Sequence, residues 1–386
     1  MSSRRVLQSL QPQVLIWARQ RAQISPDFLA KKMKIKIERI LNWEQTGEIS
    51  MAQIDKLAQI TRTPIGYLFL SHPPKEKIPI QDFRTLTKDI PKYPSPDLTD
   101  TIQLMLRRQD WMREELIEAG VEPLTFVGSC KDMTSIEEVV HSMRRAFSLD
   151  EEWAFDQKDW ESAFQCIRQK AEKVGIFIVI NGVVGNNAYR KLNRKEFQGF
   201  ALVDQFAPFV FINGADFKTA QMFTLAHELA HIFQGSSGLS QLNNTIHNHH
   251  TEQICDAIAA EFLIPKKNLI SHWDHLMDFG KNIQNLSHRF KVSEFALARQ
   301  ALHSKLIHKD EYHDFYKSHI HVSHRIPKAS GGHFWYTQLN RVGRKFGTAI
   351  GRAVLSNRMT YLEAYDLTGL YGKTFQKFIN HLDFKI

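Results

Sequence analysis

Apolar residues recur every three or four positions between residues 10 and 70, the spacing that places them on one face of an α-helix. Ser25 followed by Pro26 is typical of a helix start, because serine caps free amide groups and proline fits the first turn. Four or five short helices within about sixty residues predict a compact helix-turn-helix bundle. The apolar stripes are Val14, Trp17 and Ala18; Ile37, Ile40 and Leu41; and Met51, Ile54, Leu57 and Ala58.

Six prolines between positions 73 and 96 interrupt this helical pattern. Proline has no amide hydrogen to donate and cannot continue a helix, so the segment is expected to run extended as a linker between domains. Helical spacing returns at residues 97–120. Residues 160–175 form a strongly amphipathic pattern that Gly175 is expected to end.

Three runs rich in valine, isoleucine and phenylalanine come next, and turn-forming or charged residues separate them. Such runs predict the strands of a small sheet. A longer apolar segment follows at residues 215–238, and its glycines predict the end of a buried helix. The chain is therefore expected to be mainly α with a small β-sheet, an α+β protein. The strand candidates are residues 176–182, 199–204 and 207–214.

Composition narrows the class of protein. The chain has 386 residues and is 43% hydrophobic, enough for two or three domains with buried cores. It contains no long uncharged apolar stretch, and its two N-terminal arginines precede no apolar segment, so we expect a cytoplasmic protein without a membrane partner. Its three cysteines lack CxxC spacing, which argues against a disulfide framework or a four-cysteine zinc site. A metal would therefore depend on histidine and carboxylate ligands.

The net charge of +9 is concentrated at the two ends of the chain. Residues 1–92 carry 16 Lys and Arg against 8 Asp and Glu, and residues 331–386 carry 8 against 3. A basic N-terminal module would suit a nucleic-acid-binding arm on an enzyme, although a solubilising surface gives the same count. Near the C-terminus, basic residues on about one helical face would suit an acidic partner or nucleic acid, or would form the solvated face of a packing helix. They are Arg341, Arg344, Lys345 and Arg352.

Residues 223–234, FTLAHELAHIFQ, place two histidines and a glutamate in an apolar helix. His227 and His231 lie four residues apart and project from the same helix face, so both imidazoles can reach one zinc ion. Glu228 lies one position round the helix and can act as general base on a water molecule without ligating the metal. A chance match is the alternative, but two buried histidines and a glutamate need compensation, which a shared metal supplies.

The third ligand is expected on the next helical segment, residues 249–265. A three-histidine site fails, because Gln234 and Ser237 occupy the positions where glycine and histidine would be needed. Glu252 is the preferred ligand, and it leaves a fourth position open for water. Asp256, one turn on, could accept a hydrogen bond from a ligating histidine and fix its tautomer. The alternative ligands are Glu261, His247, His249 and His250.

These segments resemble a known family. FTLAHELAHIF and EQICDAIAAEFLIP, preceded by YLFLSHPPKEKIPIQDFRT and EFQGFALVD, are similar to the ImmA/IrrE family of bacterial metallo-endopeptidases in the form with an N-terminal XRE-type domain. The resemblance implies a thermolysin-like minimal zincin core in which His227, His231 and Glu252 bind one zinc ion and Glu228 is the general base. It further implies cleavage of a regulatory protein, such as a transcriptional repressor, in stress or mobile-element control.

The N-terminal stretch from FLAKKM through IERILNWEQTGEISMAQIDKLAQI resembles the XRE (Cro/repressor-type) helix-turn-helix domain. The resemblance implies that residues 35–44 lie in the major groove of double-stranded DNA. A module for protein docking or dimerisation is the alternative. A separate alternative for the whole chain is an antitoxin- or repressor-like transcriptional regulator whose zinc site is structural or sensory. Candidates for phosphate or base contacts are Lys34, Lys36, Arg39 and Asn42.

The predicted organisation has four parts. They are an XRE-type domain at 1–74, a proline-rich linker at 75–96, a zinc metallopeptidase domain at 97–325 and a basic helical region at 326–386. Because the strand at 207–214 directly precedes the motif helix, it is expected to form the wall of a cleft on which a substrate peptide pairs by β-addition.

Overall fold

The computed structural model describes residues 7–76, 93–131, 133, 135–236, 245–319 and 333–382. Within them the protein is mainly α with small sheets, as predicted. Its helices are α1 Pro12–Arg21, α2 Pro26–Met33, α3 Ile37–Thr46, α4 Met51–Thr61, α5 Pro96–Glu118, α6 Ile136–Phe147, α7 Trp160–Lys173, α8 Lys218–Gln234, α9 Thr245–Leu263, α10 Lys266–His272, α11 Phe279–Phe290, α12 Glu294–His303, α13 Lys309–His319, α14 Phe334–Val342, α15 Arg344–Leu355, α16 Tyr361–Thr368 and α17 Gly372–His381. Its strands are β1 Leu7–Ser9, β2 Glu48–Ser50, β3 Phe177–Asn181, β4 Val183–Val184, β5 Asn187–Lys191, β6 Gly199–Leu202 and β7 Phe209–Asn213.

The described residues form two compact units that divide within α5. The first contains residues 7–76 and 93–103, and the second contains the described residues from 104 onwards. Most of the predicted linker, residues 77–92, lies outside the described part of the chain. Among the described helices, none combines the length and the apolar character needed to cross a membrane.

The first unit is a small helical bundle. Helices α1 to α4 pack around a core that includes Trp17, Ile40, Trp43 and Leu57. The Ser25 hydroxyl accepts from the Phe28 amide and caps α2, the start that the Ser-Pro pair predicted. Strands β1 and β2 pair antiparallel. Outside the core, Arg19 of α1 donates through Nε and Nη2 to the Glu44 carboxylate of α3, at 2.5 and 3.0 Å.

The second unit is built on a three-stranded sheet in the order β3-β7-β6. Strand β7 lies in the middle, parallel to β3 and antiparallel to β6. Both hydrogen-bonding edges of β7 are therefore occupied, and the expectation that its stretch would pair with a substrate peptide is wrong. Strand β6, by contrast, pairs with β7 alone among the described strands, so it forms one edge of the sheet.

Side chains alternate between the two faces of a sheet along each strand, so these apolar strands present apolar side chains on both faces. Helices cover both of these faces. Ile178, Val210 and Ile212 face the core that α7, α8 and α9 share. On the other face, Phe177 and Phe209 stack at 4.8 Å, and Phe346 of α15 packs edge-on against Phe209 at 5.7 Å. The C-terminal helices thus complete the layers of the second unit.

A buried arginine ties these C-terminal helices to α5. Arg108 donates through Nε to the carbonyl of Leu367 at 2.8 Å, and through a terminal nitrogen to the carbonyl of Arg341 at 3.0 Å. Its guanidinium also lies over the Phe346 ring. Burial, with a smaller contribution from Arg107, lowers the pKa of Arg108 to about 9. One side chain therefore bridges residues that are far apart in sequence.

The four C-terminal basic residues do not form one solvated face. Lys345 is partly buried over the Phe177 ring and donates to the carbonyl of Glu172 at 3.0 Å. Arg341 contacts the side-chain oxygen of Asn186 at 3.3 Å. Burial lowers the pKa of both groups. Only Arg344 and Arg352 of the four are exposed.

Candidate metal centre

Helix α8 carries the histidine motif and is almost entirely enclosed. It packs against β6 and β7 on one side and against α9 on the other. The Asp216 carboxylate accepts from the Phe217 amide just before the helix begins. The helix ends at Gly235, whose φ of 63° is the left-handed conformation that terminates helices. His227, Glu228 and His231 are all buried on this helix.

Three side chains converge between α8 and α9. The Nε2 atoms of His227 and His231 lie 3.0 Å apart. Glu252 approaches both, with Oε2 3.2 Å from His227 Nε2 and Oε1 3.1 Å from His231 Nε2. A tetrahedral zinc ion bound at 2.0–2.1 Å holds its ligand atoms about 3.3 Å apart. The three residues therefore fit one zinc ion in donor type and spacing.

The pKa values of these groups show how strongly they interact. Burial raises the pKa of Glu252, but hydrogen bonds with His227 and His231 outweigh burial and hold it well below its usual range. Burial lowers the pKa of His231, but neighbouring Cys255 and Glu252 raise it by more than burial lowers it. The pKa of His231 therefore lies well above the ordinary 6.5. A metal at this cluster would compete with the proton of His231.

The second nitrogen of each histidine also lies near a polar side chain. His227 Nδ1 lies 2.9 Å from Asp256 Oδ1, the arrangement expected of a residue that fixes a ligand's tautomer. His231 Nδ1 lies 2.8 Å from the Ser236 hydroxyl and 3.5 Å from the Cys255 thiol. Ser236 and Cys255 were missed in the sequence. The sequence did offer one signal for Ser236, because this serine directly follows Gly235, the glycine that ends the motif helix α8.

Glu228 faces the start of the edge strand β6. A Cβ atom added to Gly199 would lie 3.2 Å from Glu228 Oε1, 2.7 Å from a Thr224 methyl carbon and 2.8 Å from the Phe211 carbonyl oxygen. The absence of a side chain at Gly199 therefore leaves room for the carboxylate against the strand. Sequence reasoning did not identify Gly199, because this contact joins residues from separate elements.

The alternative ligands are differently placed. Glu261 accepts hydrogen bonds from the Lys266 amide at 3.1 Å and from the Gln300 amide nitrogen at 3.2 Å. Burial raises its pKa, and its bonds connect α9 with the start of α10 and with α12. His250 is exposed. The side chains of His247 and His249 lie outside the described residues.

A mostly apolar cavity of about 290 Å³ lies in the groove between α8 and α9 and extends to α12 and α13. Asp256 connects it to the histidine cluster, because this residue lines the cavity and its carboxylate contacts His227. The other polar lining groups include Gln198 and Arg299. The principal apolar lining residues are Ala220, Phe223, Ala257, Ala260, Phe295 and Tyr312.

The candidate DNA contacts all lie in the first unit and all are exposed. Lys34, with a φ of 58°, ends α2, and Lys36 precedes the first residue of α3. Arg39 and Asn42 are on the outer face of α3, opposite the buried Ile40 and Trp43. Four groups able to contact phosphates or bases are thus available on one short stretch.

Two buried histidines, a partly buried Glu252 and the adjacent Glu228, set beside the edge of a small sheet, form the arrangement of a metallopeptidase-like site. Residues 171–302 match the family model described as the IrrE N-terminal-like domain (Peptidase_M78). This match supports the resemblance to the ImmA/IrrE family for that part of the chain. Residues 342–381 match a domain of unknown function, DUF8813. A search of curated proteins found no match.

Proposed function

We propose that the second unit is a zinc-dependent endopeptidase that cleaves a regulatory protein. The observation that carries this proposal is the convergence of polar atoms of His227, His231 and Glu252 within about 3 Å of one another. Glu228 lies next to His227 on α8. The family match to residues 171–302 supports a peptidase.

The residues divide the work of peptide hydrolysis between them. His227, His231 and Glu252 would hold the zinc ion, and Asp256 would orient His227. When bound, zinc supplies polarisation of the substrate carbonyl and lowers the pKa of a water molecule. Glu228 accepts the proton of that water on its carboxylate and donates it to the departing amine nitrogen. Its burial keeps bulk water from competing for the same carboxylate.

The substrate would bind as an extended peptide. Among the described strands, β6 is hydrogen-bonded to β7 alone, and Glu228 lies against its first residue, Gly199. A peptide added to this edge would gain main-chain hydrogen bonds and run past the cluster. The neighbouring cavity would receive a large apolar side chain of the substrate, because its walls are mostly apolar.

The regulatory role rests on the first unit. We infer that this unit directs the enzyme to double-stranded DNA or to a DNA-bound substrate, such as a transcriptional repressor. The exposed Lys34, Lys36, Arg39 and Asn42 support this assignment. It agrees with the resemblance of this segment to XRE-type domains and with the basic charge of residues 1–92.

The test compares the wild-type chain with Glu228→Gln. Purified protein reconstituted with zinc should hold one ion per chain, measured by mass spectrometry of the metal, and should cleave members of a peptide library. Glu228→Gln should retain zinc and lose about 10²- to 10⁴-fold in cleavage rate. Glu122→Gln, an exposed glutamate of the same unit, is the matched control. Absence of zinc after reconstitution, or equal cleavage by Glu228→Gln, refutes the enzyme.

A second candidate function is a transcriptional regulator whose zinc site is structural or sensory. The exposed basic groups around α3 favour DNA binding in this case too. A gel shift on the promoter of its own operon, without proteolysis by the zinc-loaded chain, would favour it. Lys36→Ala should lower the slope of log DNA affinity against log salt concentration by about 1, the contribution of one phosphate contact. Lys267→Ala in the second unit should leave this slope unchanged.

A further inference from the structure

A serine lies against the metal-remote nitrogen of one candidate ligand. The Ser236 hydroxyl is 2.8 Å from His231 Nδ1, while His231 Nε2 faces His227 and Glu252. A ligating imidazole must present one nitrogen without a proton, and the hydrogen bond at the other nitrogen determines which one that is. The serine oxygen can accept the Nδ1 proton, which leaves the Nε2 lone pair directed at the cluster.

The backbone holds this serine in place by a close approach of two glycines. Gly235 has a φ of 63°, and a Cβ atom there would lie 2.8 Å from the Gly128 Cα. The Gly128 amide donates to the carbonyl of Ile232, and the Ser236 amide donates to the carbonyl of His231. These bonds satisfy carbonyls at the end of α8 and turn the chain back over His231.

We propose that Ser236 is a positioning residue for zinc. Its hydroxyl oxygen accepts a hydrogen bond from the Nδ1–H of His231. This bond fixes the tautomer and ring orientation in which Nε2 is the ligand atom, the role proposed above for Asp256 at His227. The Gly128–Gly235 contact places the hydroxyl at that distance. This proposal rests on the proposed metal site and adds a residue to it.

Cys255 is the competing partner of the same nitrogen, with its thiol sulfur 3.5 Å from His231 Nδ1. A thiol is a weak acceptor, and the serine oxygen is nearer, at 2.8 Å. Removing the Cys255 sulfur should therefore weaken zinc binding less than removing the Ser236 hydroxyl.

The experiment measures zinc affinity of the full chain by competition with a chromophoric chelator at constant pH. Ser236→Ala should bind zinc about 10- to 100-fold more weakly than wild type. Ser236→Thr, which keeps a hydroxyl, should restore most of the affinity. Cys255→Ala should lose less affinity than Ser236→Ala. Ser271→Ala is the control and should match wild type, because this exposed serine of the same unit contacts the Asn268 carbonyl and His272 Nδ1 and none of the proposed ligands.

Two further readouts separate positioning from folding. The metal-free Ser236→Ala chain should melt close to wild type, and the cobalt-substituted variant should show an altered visible spectrum, since a reoriented imidazole changes the ligand field. Affinity of Ser236→Ala within twofold of wild type overturns the proposal while leaving the zinc site intact. A wild-type chain that binds no zinc overturns both this proposal and the proposed function.

Discussion

Replacing Gly199 by alanine tests the contact between the edge strand and the candidate general base. The new Cβ atom would meet the Phe211 carbonyl oxygen at 2.8 Å, a Thr224 methyl carbon at 2.7 Å and Glu228 Oε1 at 3.2 Å. The first contact involves the backbone of the central strand β7, which cannot move without disturbing the sheet. The variant must therefore displace α8, β6 or both.

The size of the effect follows from these contacts. Overpacking of a well-packed interior costs about 1–3 kcal/mol. For a unit of this size each kcal/mol lowers the melting temperature by about 2–4 °C. Displacement of Glu228 by a fraction of an ångström should also lower cleavage strongly, because a misplacement of about 1 Å can cost about 100-fold in rate. Zinc affinity should change little, because Glu228 is not among the proposed ligands.

The assays are thermal unfolding of the zinc-loaded chain, zinc affinity and peptide cleavage. Gly280→Ala is the matched control, because its new Cβ would meet only the Asp278 carboxylate, at 3.2 Å, and its helical position favours alanine. It should melt at or above the wild-type temperature. Gly199→Ala that melts and cleaves like wild type would show that the strand and Glu228 are not in contact.

Three further predictions concern the second unit. Arg108→Lys keeps the buried charge but loses the planar guanidinium that bridges two carbonyls. Chemical denaturation should therefore show a free energy of unfolding lower by about 2 kcal/mol or more. An unchanged denaturation midpoint would contradict the role of this bridge. Glu252→Gln should weaken zinc binding by about 100-fold or more in chelator competition, and retention of wild-type affinity would remove Glu252 from the ligands. Because folding raises the pKa of His231, the protonated imidazole stabilises the metal-free chain fully below pH 6.5, and this contribution is lost as pH rises through the folded pKa. Calorimetry of the metal-free chain should therefore show a melting temperature that falls as pH increases from 6.5. A melting temperature that increases with pH would contradict the raised pKa.

Much of the metal cluster was predictable because its spacing is local. The four-residue spacing of His227 and His231 places both imidazoles on one face of any helix, whatever surrounds it. Glu252 and Asp256 were predictable as candidates because their own helix aligns them in the same way. Which carboxylate reaches the histidines depends on how α8 packs against α9, so the sequence left Glu261 as an alternative.

Other features depended on contacts between distant segments. The apolar run at 207–214 predicted a strand, but its central position in the sheet arises from pairing with both β3 and β6. The basic C-terminal residues followed a helical spacing, yet Lys345 lies against Phe177 and Arg341 against Asn186. Charge patterning identifies a face of a helix, and it does not show whether another element covers part of that face.

By itself the sequence determined the helical and extended segments, the mainly α class and the shared face of the two motif histidines, because these depend on periodicity within one element. The tertiary structure alone decided the edge strand beside Glu228, the serine behind His231, the cavity next to Asp256 and the packing of the C-terminal helices on the sheet. Each of these is a contact between side chains or backbone brought together only by folding, at distances of a few ångströms that no local pattern encodes.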